Sequence, residues 1–339
     1  MALCRGAPPG RSAPSERACG NAHREGRPIR VLVTGAAGFI GANLVRALLE
    51  RGDVVVGIDS LTPYYDPSLK QANLAGLVND RFRFIEQDVA DLDAEALRSL
   101  RVDAIVHLAG QPGVRGSWGE QFGAYAHANI STTQRLLEAM KAVPDARLVY
   151  ASSSSVYGQA ESYPTTEDTI PAPHSPYGVT KLAGEHLVHL YRANDGLDTV
   201  AFRFFTVYGP SQRPDMAFTR FLKAAATGEP VHVYGDGEQI RDFTYVGDIV
   251  AAVLAAIDAE GRLPRVMNLS GGSSASVNEV LDVIGDITGC PVEVRYETSV
   301  RGDVLRTGAM NDLARSAIGW TPRVSLSEGL RRQWKAVRV

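Results

Sequence analysis

The 339-residue chain carries a formal net charge of −3 and 45% hydrophobic residues. That balance gives no electrostatic footing for nucleic acid or an anionic membrane surface. Its three cysteines (Cys4, Cys19 and Cys290) have neither metal-ligand nor disulfide-framework spacing, so a reduced cytoplasmic protein with no metal site is expected. No stretch is long and apolar enough to span a bilayer.

The first 28 residues are rich in Arg, Ala, Gly, Pro and Ser and lack the apolar segment of a signal peptide. They offer too little apolar surface to offset the entropy of ordering, and a disordered tail is expected over 1–28. From Ile29 the pattern changes. IRVLVTG is an apolar run closed by glycine, FIGANLVRALLERG has helical spacing, and DVVVGIDS is a second apolar run. RFRFIEQD, AIVHLAG, ARLVYASS and TVAFRFF repeat the strand signal, with helix-like segments such as STTQRLLEAMKAV and YGVTKLAGEHLVHLYRAN between them. Nearly continuous apolar strands alternating with helices predict an α/β, doubly wound parallel sheet covered on both faces. Ligands of such sheets bind at the carboxyl ends of the strands. After Gly209 the rhythm loosens into the helix DMAFTRFLKAAATG, the strand VHVYG, a polar loop DGEQIRDFTYV and the helix GDIVAAVLAAIDA. The expected organisation is a doubly wound α/β domain over 29–208 and a smaller lobe over most of 209–339, with later segments free to recross.

TGAAGFIG sets Gly35, Gly38 and Gly41, with Phe39 and Ile40 between them, after the first strand and at the start of a helix. Glycine permits the tight turn and close backbone approach, and the helix N-terminus favours a pyrophosphate. The second strand ends in Asp59-Ser60, about 20 residues on, where a carboxylate bonds ribose hydroxyls. A negative charge there repels a 2′-phosphate, so NAD is expected rather than NADP. Asp88-Val89 closes the third strand and Leu108-Ala109-Gly110 the fourth. Each has a plain alternative reading as a loop cap or tight turn, but they stand in order at successive strand ends.

ASSSSVYG places Ser153, Ser154 and Ser155 where the fifth strand ends. Ser-Pro-Tyr-Gly-Val-Thr-Lys at 175–181 then opens a helix, with proline in its first turn. Tyr177 and Lys181 are four residues apart and share a helix face. A free tyrosine has a pKa of about 10. A nearby ammonium and a positive nicotinamide ring both favour phenolate, so a Tyr177 pKa lowered toward neutrality is expected.

From residue 29 onward the chain resembles the extended short-chain dehydrogenase/reductase family of NAD-dependent nucleotide-sugar epimerases and dehydratases, which have a Rossmann domain. TGAAGFIG, the Asp59 strand end, LAG, SSSSVYG, YGVTK and RDFTYV match in order, and RFFTVYGPSQRPDM (203–216) is most similar to the UDP-glucuronate 4-epimerase branch. The resemblance implies oxidation at C4 of a UDP-sugar and reduction from the opposite face, with Tyr177 as base, Lys181 beside it, and Ser153 and Ser155 orienting the 4-hydroxyl. Dehydratases carry Asp-Glu where Ser154 and Ser155 stand, and UDP-glucuronate decarboxylases commonly carry a glutamate at Ser155. The family pattern further implies diphosphate and ribose contacts from Arg241, Arg301 and Asp303, and a uronate carboxylate held by Arg213 and Thr206. It also implies a homodimer through the helix carrying Tyr177 and the helix after strand four. A UDP-glucose/UDP-galactose 4-epimerase is the main alternative, and a decarboxylase or a non-catalytic NAD-binding protein are weaker ones. Asn129 and Thr133 read either as cofactor support or as solvated helix positions, His107 as a packed core histidine, and Trp118 as part of a loop.

Overall fold

The computed structural model describes residues 27–298, 302 and 304–337. The expected tail therefore lies outside the described residues apart from Arg27 and Pro28. Strands β1 (Arg30–Thr34), β2 (Val54–Asp59), β3 (Phe82–Glu86), β4 (Ala104–His107), β5 (Arg147–Ser153) and β6 (Thr199–Phe204) realise the six apolar runs. They lie in the order β3-β2-β1-β4-β5-β6, all parallel, which is the doubly wound arrangement. Five further strands follow in the chain: β7 (Val207–Tyr208), β8 (Val231–Tyr234), β9 (Ile240–Tyr245), β10 (Val266–Leu269) and β11 (Ser273–Ser276). A last strand is β12 (Val294–Glu297). Strand β10 pairs in parallel with β6 and completes a seven-stranded sheet. The others form a three-stranded sheet β11-β9-β7 and a two-stranded sheet β12-β8.

The helices on and beyond this sheet are α1 (Phe39–Arg51), α2 (Pro67–Ala75), α3 (Ala94–Leu100), α4 (Phe122–Ala126), α5 (Thr132–Met140) and α6 (Pro176–Asn194). The C-terminal half adds α7 (Ala217–Thr227), α8 (Val246–Asp258), α9 (Val277–Thr288), α10 (Asp312–Ile318) and α11 (Leu326–Ala336). Successive residues of a strand point to opposite faces. Val31 and Val33 of β1 accordingly join a core with Leu44 and Leu48 of α1 and Ile249 and Val253 of α8. Leu32 faces the other way, onto Leu97, Leu136, Met140 and Val188 of α3, α5 and α6. None of the described helices is long and apolar enough to cross a membrane.

One charged pair lies inside this apolar frame. Arg203 of β6 donates from Nη2 to Glu185 Oε1 of α6 at 2.6 Å and from Nε to Oε2 at 3.1 Å. Its Nη1 bonds the Tyr157 hydroxyl at 2.7 Å, and that hydroxyl meets Asn268 Oδ1 of β10 at 2.8 Å. Ser152 of β5 donates to Glu185 Oε2 at 2.5 Å. The network therefore stitches β5, β6, β10 and α6 together beneath the serine cluster. Replacing Glu185 with alanine strands Arg203 in the interior and is expected to cost about 3–5 kcal/mol, read as a lower denaturant midpoint. Glu185→Met combined with Arg203→Met is expected to recover most of that loss, because an apolar pair needs no charge compensation.

Candidate active site

The carboxyl ends of β1, β2, β4, β5 and β6 open into one cavity of about 540 Å³. Gly35 has φ 70°, and a Cβ on Gly41 would sit 2.1 Å from the Gly35 carbonyl oxygen. Only glycines allow this turn to lie flat against the start of α1, whose first N–H groups suit a phosphate. Gly38, Phe39, Ile40, Ser60, Asp88, Val89, Leu108, Ala109 and Gly110 all line the same space. Asp59, also in the lining, is fixed by N–H groups of Ala37 at 3.2 Å and Leu61 at 2.9 Å. Lys70 lies 3.5 Å from its Oδ1 and 3.3 Å from Thr62 Oγ1. A carboxylate beside an ammonium offers an acceptor and a donor to a vicinal ribose diol. The Gly turn and this donor set fit a dinucleotide such as NAD.

The stretch between α4 and α5 is a π turn, His127–Ser131, an irregularity common at functional sites. Asn129, which sits in it, is buried and bonds in three directions. Its Oδ1 accepts from Gln111 N–H at 2.9 Å, and its Nδ2 donates to Gln111 O at 3.0 Å and to Thr180 Oγ1 at 2.9 Å. It thus clamps the loop after β4 to α6, one residue before Lys181. Thr133 is buried as well, which removes the solvated-helix reading of both residues. Thr133 Oγ1 donates to Asn129 O at 2.9 Å, so its contact with His107 Nε2 at 3.2 Å requires the ring to donate. His107 Nδ1 then accepts from Thr34 Oγ1 at 2.8 Å, and Thr34 accepts from Ala109 N–H at 3.1 Å. His107 is a packed, neutral core residue, as its sequence setting implies. Burial, with Lys181 nearby, pushes its pKa down to about 3.

Helix α6 begins at the serine cluster. Ser175 caps it by accepting from Gly178 N–H at 3.1 Å, and a Cβ on Gly178 would lie 2.5 Å from Ser155 O. Ser153 ends β5 and accepts from Ser155 N–H at 3.1 Å, capping a short 3₁₀ turn at Ser154–Val156. The serines therefore turn the chain, and they also line the cavity with Tyr177 and Lys181. The expected lowering of the Tyr177 pKa is not seen in the protein alone. Burial raises it, and the hydrogen bond from Ser153 and the positive charge of Arg213 only oppose that rise. Lys181 is pushed down to about 8 by burial, against the pull of Glu185, and its Nζ lies 4.6 Å from the centre of the Tyr150 ring. The lysine charge is thus costly here.

Thr206 and Arg213 line the cavity on the side of the C-terminal half. Arg213 is held by Asp215 through Nε–Oδ1 and Nη2–Oδ2 bonds, both 2.9 Å. Arg241 is placed differently from expectation. It stands on β9 rather than in a loop, paired opposite Ala275 of β11. The strand is held by antiparallel pairing with β11 and parallel pairing with β7, and its last four residues are all buried. Arg301 and Asp303 lie outside the described residues. A second cavity of about 410 Å³ shares Tyr64, Gly113 and Val114 with the first and is walled by Arg220, Tyr234 and Gln239. The Arg115 guanidinium lies 4.2 Å from the centre of the Tyr234 ring. Sequence spacing alone does not single out Lys70, Tyr64, Asp215 or Arg220 as cavity residues. Asp66-Pro67 was a readable helix start that would have delivered Lys70 beside Asp59. Nothing local marks the others, which meet only in the folded chain.

Residues 31–270 match the NAD dependent epimerase/dehydratase family. The chain belongs to that family. It is 42% identical over 307 residues to the Bacillus subtilis protein YtcB, named as an uncharacterized UDP-glucose epimerase, covering 89% of this chain and 96% of that one. The structure of UDP-glucuronic acid 4-epimerase from Bacillus cereus, in complex with UDP-glucuronic acid and NAD, superposes with a TM-score of 0.87 at 41% identity. That match covers 91% of this chain and 98% of the other. MoeE5, solved with NAD and either UDP-glucuronic acid or UDP-glucose, matches at 43% identity and a TM-score of 0.81 over 91% of this chain and 98% of its own.

The unfolded chain takes up a proton at a histidine near pH 6.5, whereas folded His107 does so near 3. Its contribution to stability is complete above pH 6.5 and is lost as pH falls toward 3. Long-range ¹H–¹⁵N correlation is expected to show an Nε2–H ring that does not titrate between pH 5 and 8. A midpoint near 6.5 would contradict the buried, neutral assignment.

Proposed function

We propose that this enzyme interconverts the C4 epimers of a UDP-sugar, with UDP-glucuronate to UDP-galacturonate as the leading reaction. The observation that carries the reading is the single cavity shared by the Gly-rich turn, the Ser153/Tyr177/Lys181 group and Arg213. When bound, NAD supplies the acceptor and donor of hydride at C4 without net consumption. Tyr177 takes the proton of the 4-hydroxyl, and Ser153 and Ser155 orient that hydroxyl. Lys181, when protonated, stabilises the phenolate alongside the positive nicotinamide ring. Asn129 keeps the β4 loop and α6 in register while the proton moves. The second cavity suits the nucleotide, with Arg220 facing it. Arg241, Arg301 and Asp303 are assigned to the diphosphate and ribose by family pattern. Anchoring at that end leaves the 4-keto sugar free to turn over.

A 4-keto uronate is a β-keto acid, and it loses carbon dioxide when the carboxyl bond aligns with the carbonyl π system. Arg213 and Thr206, both in the cavity wall, would hold the carboxylate out of that alignment, and Ser155 stands where decarboxylases carry an acid. The neutral-sugar reading, a UDP-glucose/UDP-galactose 4-epimerase, gains support from the Arg213–Asp215 pair, which leaves the sugar pocket electrically balanced. We place the enzyme in the cytoplasm as a homodimer formed through α5 and α6. Half-exposed Val179 and Leu190 on α6 support that interface.

The test is incubation of the NAD-loaded protein with UDP-glucuronate and, separately, UDP-glucose, with products resolved by NMR. UDP-galacturonate without pentose or net NADH is expected, and a UDP-pentose product or stoichiometric NADH would overturn the reading. Tyr177→Phe is expected to lower kcat about 10²–10⁴-fold with sugar-nucleotide binding retained. Arg213→Met is expected to raise KM for UDP-glucuronate about tenfold and to leave kcat for UDP-glucose within about threefold.

A further inference from the structure

Arg213 reaches the sugar pocket already paired. Its Nε and Nη2 form the guanidinium edge that best matches a carboxylate, and both bonds go to Asp215 at 2.9 Å. The two residues sit at the junction of the cavities, Arg213 in the wall of the first and Asp215 in the wall of the second. The arginine side chain is 16% exposed and the aspartate 40%. The cation is thus committed to the interior, while its partner has water behind it. The Met216 N–H bonds the Arg213 carbonyl at 3.2 Å, so the backbone between them is a closed turn.

We propose that Asp215 is the specificity-determining positioning residue of the sugar site proposed above, an internal stand-in for the substrate's carboxylate. With a neutral hexose bound, Asp215 keeps Arg213 paired, and the site carries no uncompensated charge. A uronate presents a second carboxylate to the same cation. Two anions cannot share one guanidinium edge at close range without repulsion, so Asp215 yields the Nε/Nη2 edge and turns to solvent, which its exposure permits. Uronate affinity is therefore reduced by the cost of releasing Asp215, and neutral-sugar affinity is sustained by its presence. One residue narrows the gap between the two substrates, and the enzyme is built to accept both. The inference rests on the assignment of this pocket to the sugar.

The test compares affinities for UDP-glucuronate and UDP-glucose in the NAD-loaded protein, measured by calorimetry in a Tyr177→Phe background where turnover does not blur the readout. Asp215→Asn is expected to tighten UDP-glucuronate, to weaken UDP-glucose, and to move the ratio of their dissociation constants by about tenfold or more. Asp215→Glu, which preserves the charge, is expected to restore a ratio close to that of the parent. Equal shifts for both sugars in Asp215→Asn, or none, would overturn the proposal and leave the epimerase reading standing. Binding of both nucleotides to the parent, with no epimerisation of either sugar by the protein carrying Tyr177, would overturn that reading while the ratio still reports on Asp215. Thermal melts of the variants are expected to stay within a few degrees, since a partly exposed pair contributes little to folding.

Discussion

The cleft depends on how closely the first turn of α6 lies against the end of β5. Gly178 has no side chain because Ser155 O occupies the space where a Cβ would go. That contact sets the height of Tyr177 and Lys181 over the strand ends, and Asn129 fixes the same helix from the other side through Thr180. The π turn that carries Asn129 is the local cost of this clamp. A regular helix would rotate the amide away from Gln111. Strand end, loop and helix are thus tied by a handful of short polar contacts, and the reacting groups inherit their geometry from them. Ser153 shows how economical the arrangement is. One hydroxyl caps the turn of its own segment and pulls on the phenol of Tyr177.

Burial shapes the electrostatics more strongly than pairing does. It pushes Tyr177 up, Lys181 down to about 8 and His107 down to about 3. All three shifts lean toward the neutral form: Tyr177 and His107 are uncharged at neutral pH, while Lys181, lowered only to about 8, still carries its proton there. On the proposed mechanism, the positive ring of a bound oxidised cofactor would shift that balance at Tyr177 toward phenolate. Glu185 contributes from one turn further along α6, where it supports the Lys181 charge while spending its own bonds on Arg203 and Ser152. The buried pair therefore has two jobs, holding the strands in register and setting a modest negative potential behind the lysine.

What was legible in the sequence was what repeats locally. Six strands, the Gly turn, the acid at the end of β2 and the Tyr177/Lys181 helix face all follow from periodicity and spacing over short windows. Strand β10 was missed because VMNL is short and earns its place by pairing with β6 across the fold. Arg241 was read as a loop residue because DGEQ precedes it, yet antiparallel pairing with β11 draws IRDFTY into a strand. Tyr157 carried a motif signal, and its hydroxyl turns out to serve the Arg203–Asn268 network. The second cavity had no signal at all. Its walls come from α7, β8 and the loop after β4, which no window brings together.

The division into two cavities with a shared waist at Tyr64, Gly113 and Val114 explains how one pocket can serve opposite faces of a sugar. An epimerase that works by turning its 4-keto sugar over cannot grip the ring tightly, because, on the proposed mechanism, one base at Tyr177 would meet C4 before and after the turn. Specific binding then has to come from the nucleotide end, and the sugar end has to be permissive. Tyr64 suits such a waist. Burial and the nearby Asp215 push its pKa up to about 12, so it stays a neutral hydroxyl with no preference for a charged ring. A fixed, unpaired arginine would instead trap a uronate in one orientation and oppose the turn. If Arg213 meets the uronate as proposed, pairing it with a partner that can let go would give the carboxylate a contact strong enough to keep it out of line with the new carbonyl, and weak enough to be exchanged during rotation.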